Sequence, residues 1–220
     1  MKKISPPIVF FFYLEPAAAL VFLVFPPIFG LAPRPGEFSF PTPAQGAVLA
    51  VLCAYFLVSA GVSGPAWADS RSPCMGLKLF WSAAGLLGMF LWAGLLSAAQ
   101  FFLGVKAPPI PEETRVMGSL LPRGLFFFAL AGSACFEEAL YRVYLPRRFR
   151  KFVENPAAWE IAATFFAAAH KAGGGFAIAN AFGAALILQF SLRRTRSVAS
   201  ICVMHTLYNI VFYLVMYGAA

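Results

Sequence analysis

The 220 residues are 60% hydrophobic and 12% charged, and carry a net charge of +8; mean hydropathy is +0.76. This excludes a soluble globular domain, because a bilayer core takes about 20 apolar residues per helical span and such spans use up most of the chain. The basic excess reads as Lys and Arg kept in cytoplasmic loops, since no basic tract with interleaved aromatics lies outside the apolar runs; nucleic acid is not an expected partner.

Lys2 and Lys3 precede a first apolar run over about 8–30, which is long, lacks a clear cleavage site and reads as a retained span. Glu15-Pro16 interrupts it. A Pro-rich loop follows over 31–43. The second span covers about 46–64 and stops at Pro65. The polar stretch 69–73 is a loop. The third span covers about 79–105; Ala84 and Gly88 give it a small-xxx-small spacing suited to close helix packing, and Trp81 and Trp92 read as packing or interface residues. After the loop 106–115, the fourth span starts near Ser119 or after Pro122 and is closed by Pro146 with Arg147, Arg148, Arg150 and Lys151. Asn155-Pro156 reads as the cap and first turn of a fifth span that ends at His170. Gly173–Gly175 is a tight turn. The sixth span covers about 176–191, a basic turn holds Arg193, Arg194 and Arg196, and the seventh covers about 197–216.

The expected fold is an all-α polytopic membrane protein. It has about seven transmembrane helices in one bundle, with the N-terminus inside. That topology puts twelve basic residues on or toward the inner side (Lys2, Lys3, Arg71, Lys78, Arg142, Arg147, Arg148, Arg150, Lys151, Arg193, Arg194, Arg196). It leaves five outside (Arg34, Lys106, Arg115, Arg123, Lys171). The chain reads as one membrane domain, 1–220, with a three-helix N-terminal part, 1–117, and a motif-bearing core, 118–220. Cys53, Cys74, Cys135 and Cys202 form no CxxC pair and read as small buried hydrophobes.

Phe136–Arg142 places three charges inside an apolar run, and ionisable groups at membrane depth are costly enough to be functional candidates. Glu138 and Arg142 are four apart, with the acid first, the favourable order for a helical pair. Glu137 is rotated by about 100° from Glu138 and about 140° from Arg142, at ~3.6 residues per turn. It points away from that pair. Two histidines occur in the whole chain. His170 follows Phe166 by four residues, and His205 precedes Asn209 by four. A histidine in a membrane helix often serves as interhelical glue. Here the depths coincide: a hairpin folded near Val153–Glu154 sets Glu137 opposite His170. His205 lies roughly 12 Å into the seventh span at ~1.5 Å per residue. Together the four groups suffice for hydrolysis. Glu137 can take a proton from water, His170 can hold that water, and His205 with Asn209 can donate to the oxyanion. Zinc held by Glu137, His170 and His205 is the alternative these residue types allow; the HExxH spacing is absent and the expected cofactor is none.

EExxxR (Glu137, Glu138, Arg142), FxxxH (Phe166, His170) and HxxxN (His205, Asn209), in that order on successive membrane helices, resemble the CPBP family of CAAX-protease and bacteriocin-processing (Abi) intramembrane endopeptidases. The type II CAAX prenyl endopeptidases belong to that family. The resemblance spans roughly 118 to the C-terminus. It implies that Glu137 is the catalytic glutamate, assisted by His170. It implies an oxyanion site at His205 and Asn209, Glu138 and Arg142 in support, and Phe166 packed beside the site. It also implies a glutamate-dependent rather than metal-dependent reaction.

The expected function is intramembrane hydrolysis of a peptide bond in a membrane-associated or lipidated peptide or protein, in a prokaryotic inner membrane. The alternative is a non-catalytic peptide-binding or bacteriocin-immunity membrane protein using the same pocket. A proton-relay transporter also uses intramembrane Glu and His, but no inverted repeat or paired Gly-broken segments occur.

Overall fold

The computed structural model describes residues 17–24, 49, 51–56, 73–105, 123–150 and 152–217. Most of the expected first and second spans, Glu15 and the loops at 31–43 and 106–115 lie outside the described residues. Among the described residues the protein is entirely helical. A π-helical stretch at Leu20–Val24 and helical residues 51–56 come first. Helix α1 is Met75–Phe102 and α2 is Arg123–Glu138. Helix α2 continues without a break into a π-helical stretch, Ala139–Tyr144, and then into the short α3, Leu145–Phe149. Helix α4 is Asn155–Ala168, α5 is Gly174–Thr195 and α6 is Val198–Tyr217.

Three described helices, α1, α5 and α6, are long and apolar enough to cross a membrane. Helix α4 is different. Its 14 residues rise roughly 21 Å at ~1.5 Å per residue, short of a hydrocarbon core of about 30 Å. The helix begins at Asn155, as its Pro suggested, but the cap position is Glu154, one residue earlier. The turn expected at Gly173–Gly175 is a 3-10 turn, Lys171–Gly173, followed by Gly174 at φ 78°, a left-handed conformation that a side chain would strain. The link from α5 to α6 is equally tight: Arg196 adopts φ 52°, and the Ser197 hydroxyl accepts a hydrogen bond from the Ser200 N–H, capping α6. Such short links fold α4, α5 and α6 back on one another.

Helix α5 is the centre of the packing, in contact with α1, α4 and α6. Its Ala181 and Ala185 face one apolar cluster with Phe56, Leu140, Ala162 and Phe166; its Ala184, Leu188 and Leu192 face another with Met89, Ile201 and Met204. Small residues on two faces let three helices approach it. On α1 the close approach falls at Gly85, not at Ala84, which is exposed. A Cβ at Gly85 would overlap Ser191 of α5 and Met204 of α6. Gly88 lies on the same side, with room for ordinary contact with Ile187. Trp92 of α1 lies over Gly183 and donates its indole N–H to the Ala179 carbonyl at 3.1 Å. At the other end of α1, the Arg194 guanidinium lies 5.1 Å from the Trp81 ring and 5.0 Å from Phe190, and Arg193 lies 5.9 Å from Trp159 of α4. The start of α1, the start of α4 and the end of α5 therefore share one basic, aromatic-rich end, as expected of a membrane interface.

Because a Cβ at Gly183 would overlap an indole already fixed by a hydrogen bond, Gly183→Val is expected to lower stability by about 1–3 kcal/mol, the usual cost of overpacking. Gly94→Ala, at an exposed position with open space, is the control. Thermal unfolding in detergent should show a clear fall for the first variant and little change for the second.

Candidate active site

The site begins where α2 changes its hydrogen bonding. Pro146 has no N–H to give the Arg142 carbonyl, and its ring would crowd that carbonyl in a regular α-helix. The chain widens instead. The Leu145 N–H bonds to the Leu140 carbonyl, five residues back. All six residues of Ala139–Tyr144 are buried. The wide turn starts immediately after Glu138, and π-helical turns of this kind often accompany functional sites.

Glu138 is fully buried, with 0% of its surface exposed, and Arg142 is 2% exposed. The Arg142 Nε lies 3.4 Å from Glu138 Oε2. The other carboxylate oxygen, Oε1, accepts a hydrogen bond from His205 Nδ1 at 2.8 Å, joining α2 to α6. With Nδ1 committed to Glu138, the remaining nitrogen, Nε2, faces Glu137, 3.7 Å from its Oε2. Both His205 and Glu137 are buried. Two carboxyl groups, a guanidinium and an imidazole thus share one buried cluster. Counting charges, two carboxylates and one guanidinium sum to −1. One additional proton, on His205 or on Glu137, makes the cluster neutral, and a neutral cluster is the one that burial favours.

Phe166 of α4 forms the floor. The Arg142 guanidinium carbon sits 4.1 Å from its ring centroid, a cation–π contact in a desolvated setting. The same ring lies 4.6 Å from His170, 5.3 Å from Tyr141 and 6.2 Å from His205. His170 follows the end of α4 and is half-buried. Its Nδ1–H donates to the Phe166 carbonyl at 2.8 Å, which in the neutral ring leaves the lone pair on Nε2. Asn209 is half-buried on α6, one turn beyond His205. Its neighbour Tyr208 is tied to α5, where Asn180 Nδ2 donates to the Tyr208 hydroxyl at 3.0 Å.

The structure therefore gathers Glu137, Glu138, Arg142 and His205 directly, and brings His170 to them through Phe166. Two features escape a reading by spacing. Glu138 serves His205 as well as Arg142, a contact between residues 67 apart. Tyr141 also belongs to the surroundings, through its ring contact with Phe166, and the Asn180–Tyr208 pair ties α5 to α6; a lone Asn in the apolar run of α5 was the available signal for that link. Among the described residues, no group of three or more His, Cys, Asp and Glu side chains is placed to hold a metal ion.

Residues 118–211 match the family model described as Type II CAAX prenyl endopeptidase Rce1-like. This is the family that the three motifs resemble, and the matched stretch contains all seven motif residues from Glu137 to Asn209. No curated protein and no solved structure matches the chain.

Removing Glu138 would leave Arg142 buried without its counter-ion and His205 buried without its hydrogen-bond acceptor. Glu138→Ala is expected to cost about 3–5 kcal/mol, the range for breaking a buried ion pair, read as a lowered unfolding midpoint. Glu138→Gln keeps a hydrogen-bond acceptor for His205 and should fall between the variant and the parent.

Proposed function

We propose that this protein is an intramembrane endopeptidase that hydrolyses a peptide bond of a membrane-associated, CAAX-type substrate with water activated by Glu137. The observation that carries this reading is the buried cluster in which Glu138 orients His205 toward Glu137. It is supported by the family match over residues 118–211 and by the apolar helices that suit an integral membrane protein.

Charge conservation gives the cluster a coherent chemical cycle. In the resting state His205 carries the extra proton and Glu137 is ionised. A water beside Glu137 transfers a proton to it as the oxygen attacks the scissile carbonyl. The His170 Nε2 lone pair holds and orients that water. The carbonyl oxygen becomes an oxyanion. Glu137 has lost one negative charge and the oxyanion has gained one, so the buried total is unchanged. His205 Nε2–H and the Asn209 amide donate to the oxyanion. Glu138 balances the imidazolium through Nδ1, the role a buried carboxylate plays toward a catalytic histidine. The proton on Glu137 then passes to the leaving amine. Every step is carried by protein groups, and metal independence is part of the proposal.

Three measurements test it. A fluorogenic farnesylated CAAX-type peptide and a set of membrane-tethered peptides would be incubated with detergent-purified protein. Glu137→Gln should abolish turnover, by at least about 10²–10⁴-fold, while wild-type activity persists in a zinc chelator. Wild-type turnover by the variant would remove Glu137 as the base, and loss of activity in chelator would establish a metal requirement. Asn209→Ala should lower kcat by about 10²–10³-fold with KM little changed, the signature of a lost oxyanion donor. If peptides bind but are never cut, and binding survives Glu137→Gln, the protein is a peptide-binding or immunity protein instead.

A further inference from the structure

Arg194, in the last turn of α5, is exposed, and its guanidinium carbon lies 5.1 Å from the Trp81 ring and 5.0 Å from the Phe190 ring. Those two rings meet edge to face across the seam between α1 and α5, with centroids 5.5 Å apart. Lys78 stands three residues before Trp81, on the same side of α1, and is half-buried. No Asp or Glu occurs in α1, α5 or α6. The two cations therefore receive no counter-charge from the helices that pack at this seam. Toward the middle of α5, the face that carries Arg194 continues through Phe190, Leu186 and Phe182 at four-residue steps, and all three are exposed. From Phe182 to Phe190 the strip rises roughly 12 Å at ~1.5 Å per residue, most of one leaflet of a hydrocarbon core about 30 Å thick.

We propose that this seam is a binding site for an anionic glycerophospholipid, with the phosphate held by Arg194 and Lys78 and an acyl chain laid along Phe190, Leu186 and Phe182. A cation–π contact consumes none of the guanidinium N–H donors, so those of Arg194 are left for phosphate oxygens, which arginine matches in pairs. Trp81 stands where tryptophan is favoured, at the level of the headgroups. A choline headgroup fits worse, because it brings an ammonium that no carboxylate on these three helices balances. A phosphate without acyl chains would leave the apolar strip uncovered. The site uses no member of the Glu137–His205 cluster and stands whether or not the protein is a peptidase.

The full-length protein in detergent would be titrated with phosphatidylglycerol and with phosphatidylcholine of the same chains, and lipid-bound species counted by native mass spectrometry. At roughly fivefold per cation, two cations should favour the anionic lipid by about 25-fold. Arg194→Gln should remove most of that preference and Lys78→Gln part of it, whereas Arg150→Gln, an exposed cation on another helix end, should leave it intact. Glycerol 3-phosphate, which has no acyl chains, should not displace the lipid. Equal binding of the two lipids, a preference unchanged in Arg194→Gln, or displacement by glycerol 3-phosphate would overturn the proposal. Should Arg194→Gln not fold, quenching of tryptophan fluorescence in the parent protein decides: brominated phosphatidylglycerol should quench more than brominated phosphatidylcholine, and equal quenching counts against the site.

Discussion

The structure depends on one buried carboxylate. Glu138 accepts the Nδ1–H of His205 from α6 and pairs with Arg142 one turn along its own helix. Without those partners an ionised carboxylate at this depth would carry a large desolvation penalty. With them, it fixes the register between α2 and α6 and decides which nitrogen of His205 points at Glu137. One group therefore serves both stability and chemistry. The pairing is stringent because neither Arg142 nor His205 is in contact with solvent enough to be rescued by water if Glu138 is lost.

Phe166 extends this control to a third helix. Its ring receives the Arg142 guanidinium on one side and touches both histidines. Its backbone carbonyl accepts the Nδ1–H of His170. A single residue of α4 thus orients two imidazoles and a guanidinium. The short length of α4 fits this role. Ending where His170 follows, it leaves that half-buried ring at the edge of the packed helices rather than within a continuous span. The π-helical Ala139–Tyr144, imposed by Pro146, supplies the wider turn on which Tyr141 and Arg142 meet Phe166.

Close packing makes the arrangement rigid. Gly183 under Trp92 and Gly85 against Ser191 and Met204 draw α1 onto α5 and α6. In a bilayer, lipid tails are as apolar as the side chains they would replace, so contact and hydrogen bonding hold the helices together. The Asn180–Tyr208 bond is such a contact, placed next to Asn209.

The helical, membrane-spanning character of the chain was legible in the sequence because it follows from composition and run length, which are local quantities. The motifs were legible for the same reason: Glu138 and Arg142, Phe166 and His170, and His205 and Asn209 are each four apart, and helical geometry alone puts each pair on one face. The small-residue stripe of α1 was legible only as a tendency; which residue makes the contact, Gly85 rather than Ala84, depends on the partner helices. The shortness of α4 was already legible in a run bounded by Asn155-Pro156 and His170, but its exact end at Ala168 was not, because an apolar run does not mark where backbone hydrogen bonding gives way to a 3-10 turn. The second partner of Glu138 was hidden too. A residue spacing of 67 carries no periodic signal, and only the packing of α2 against α6 selects His205 over every other polar group. The sequence by itself determined which side chains lie on which helical faces, since local backbone geometry dictates that. The tertiary structure decided which faces meet, because that choice pairs the buried charges of Glu138, Arg142 and His205 and packs the small-residue faces of α5 against its neighbours.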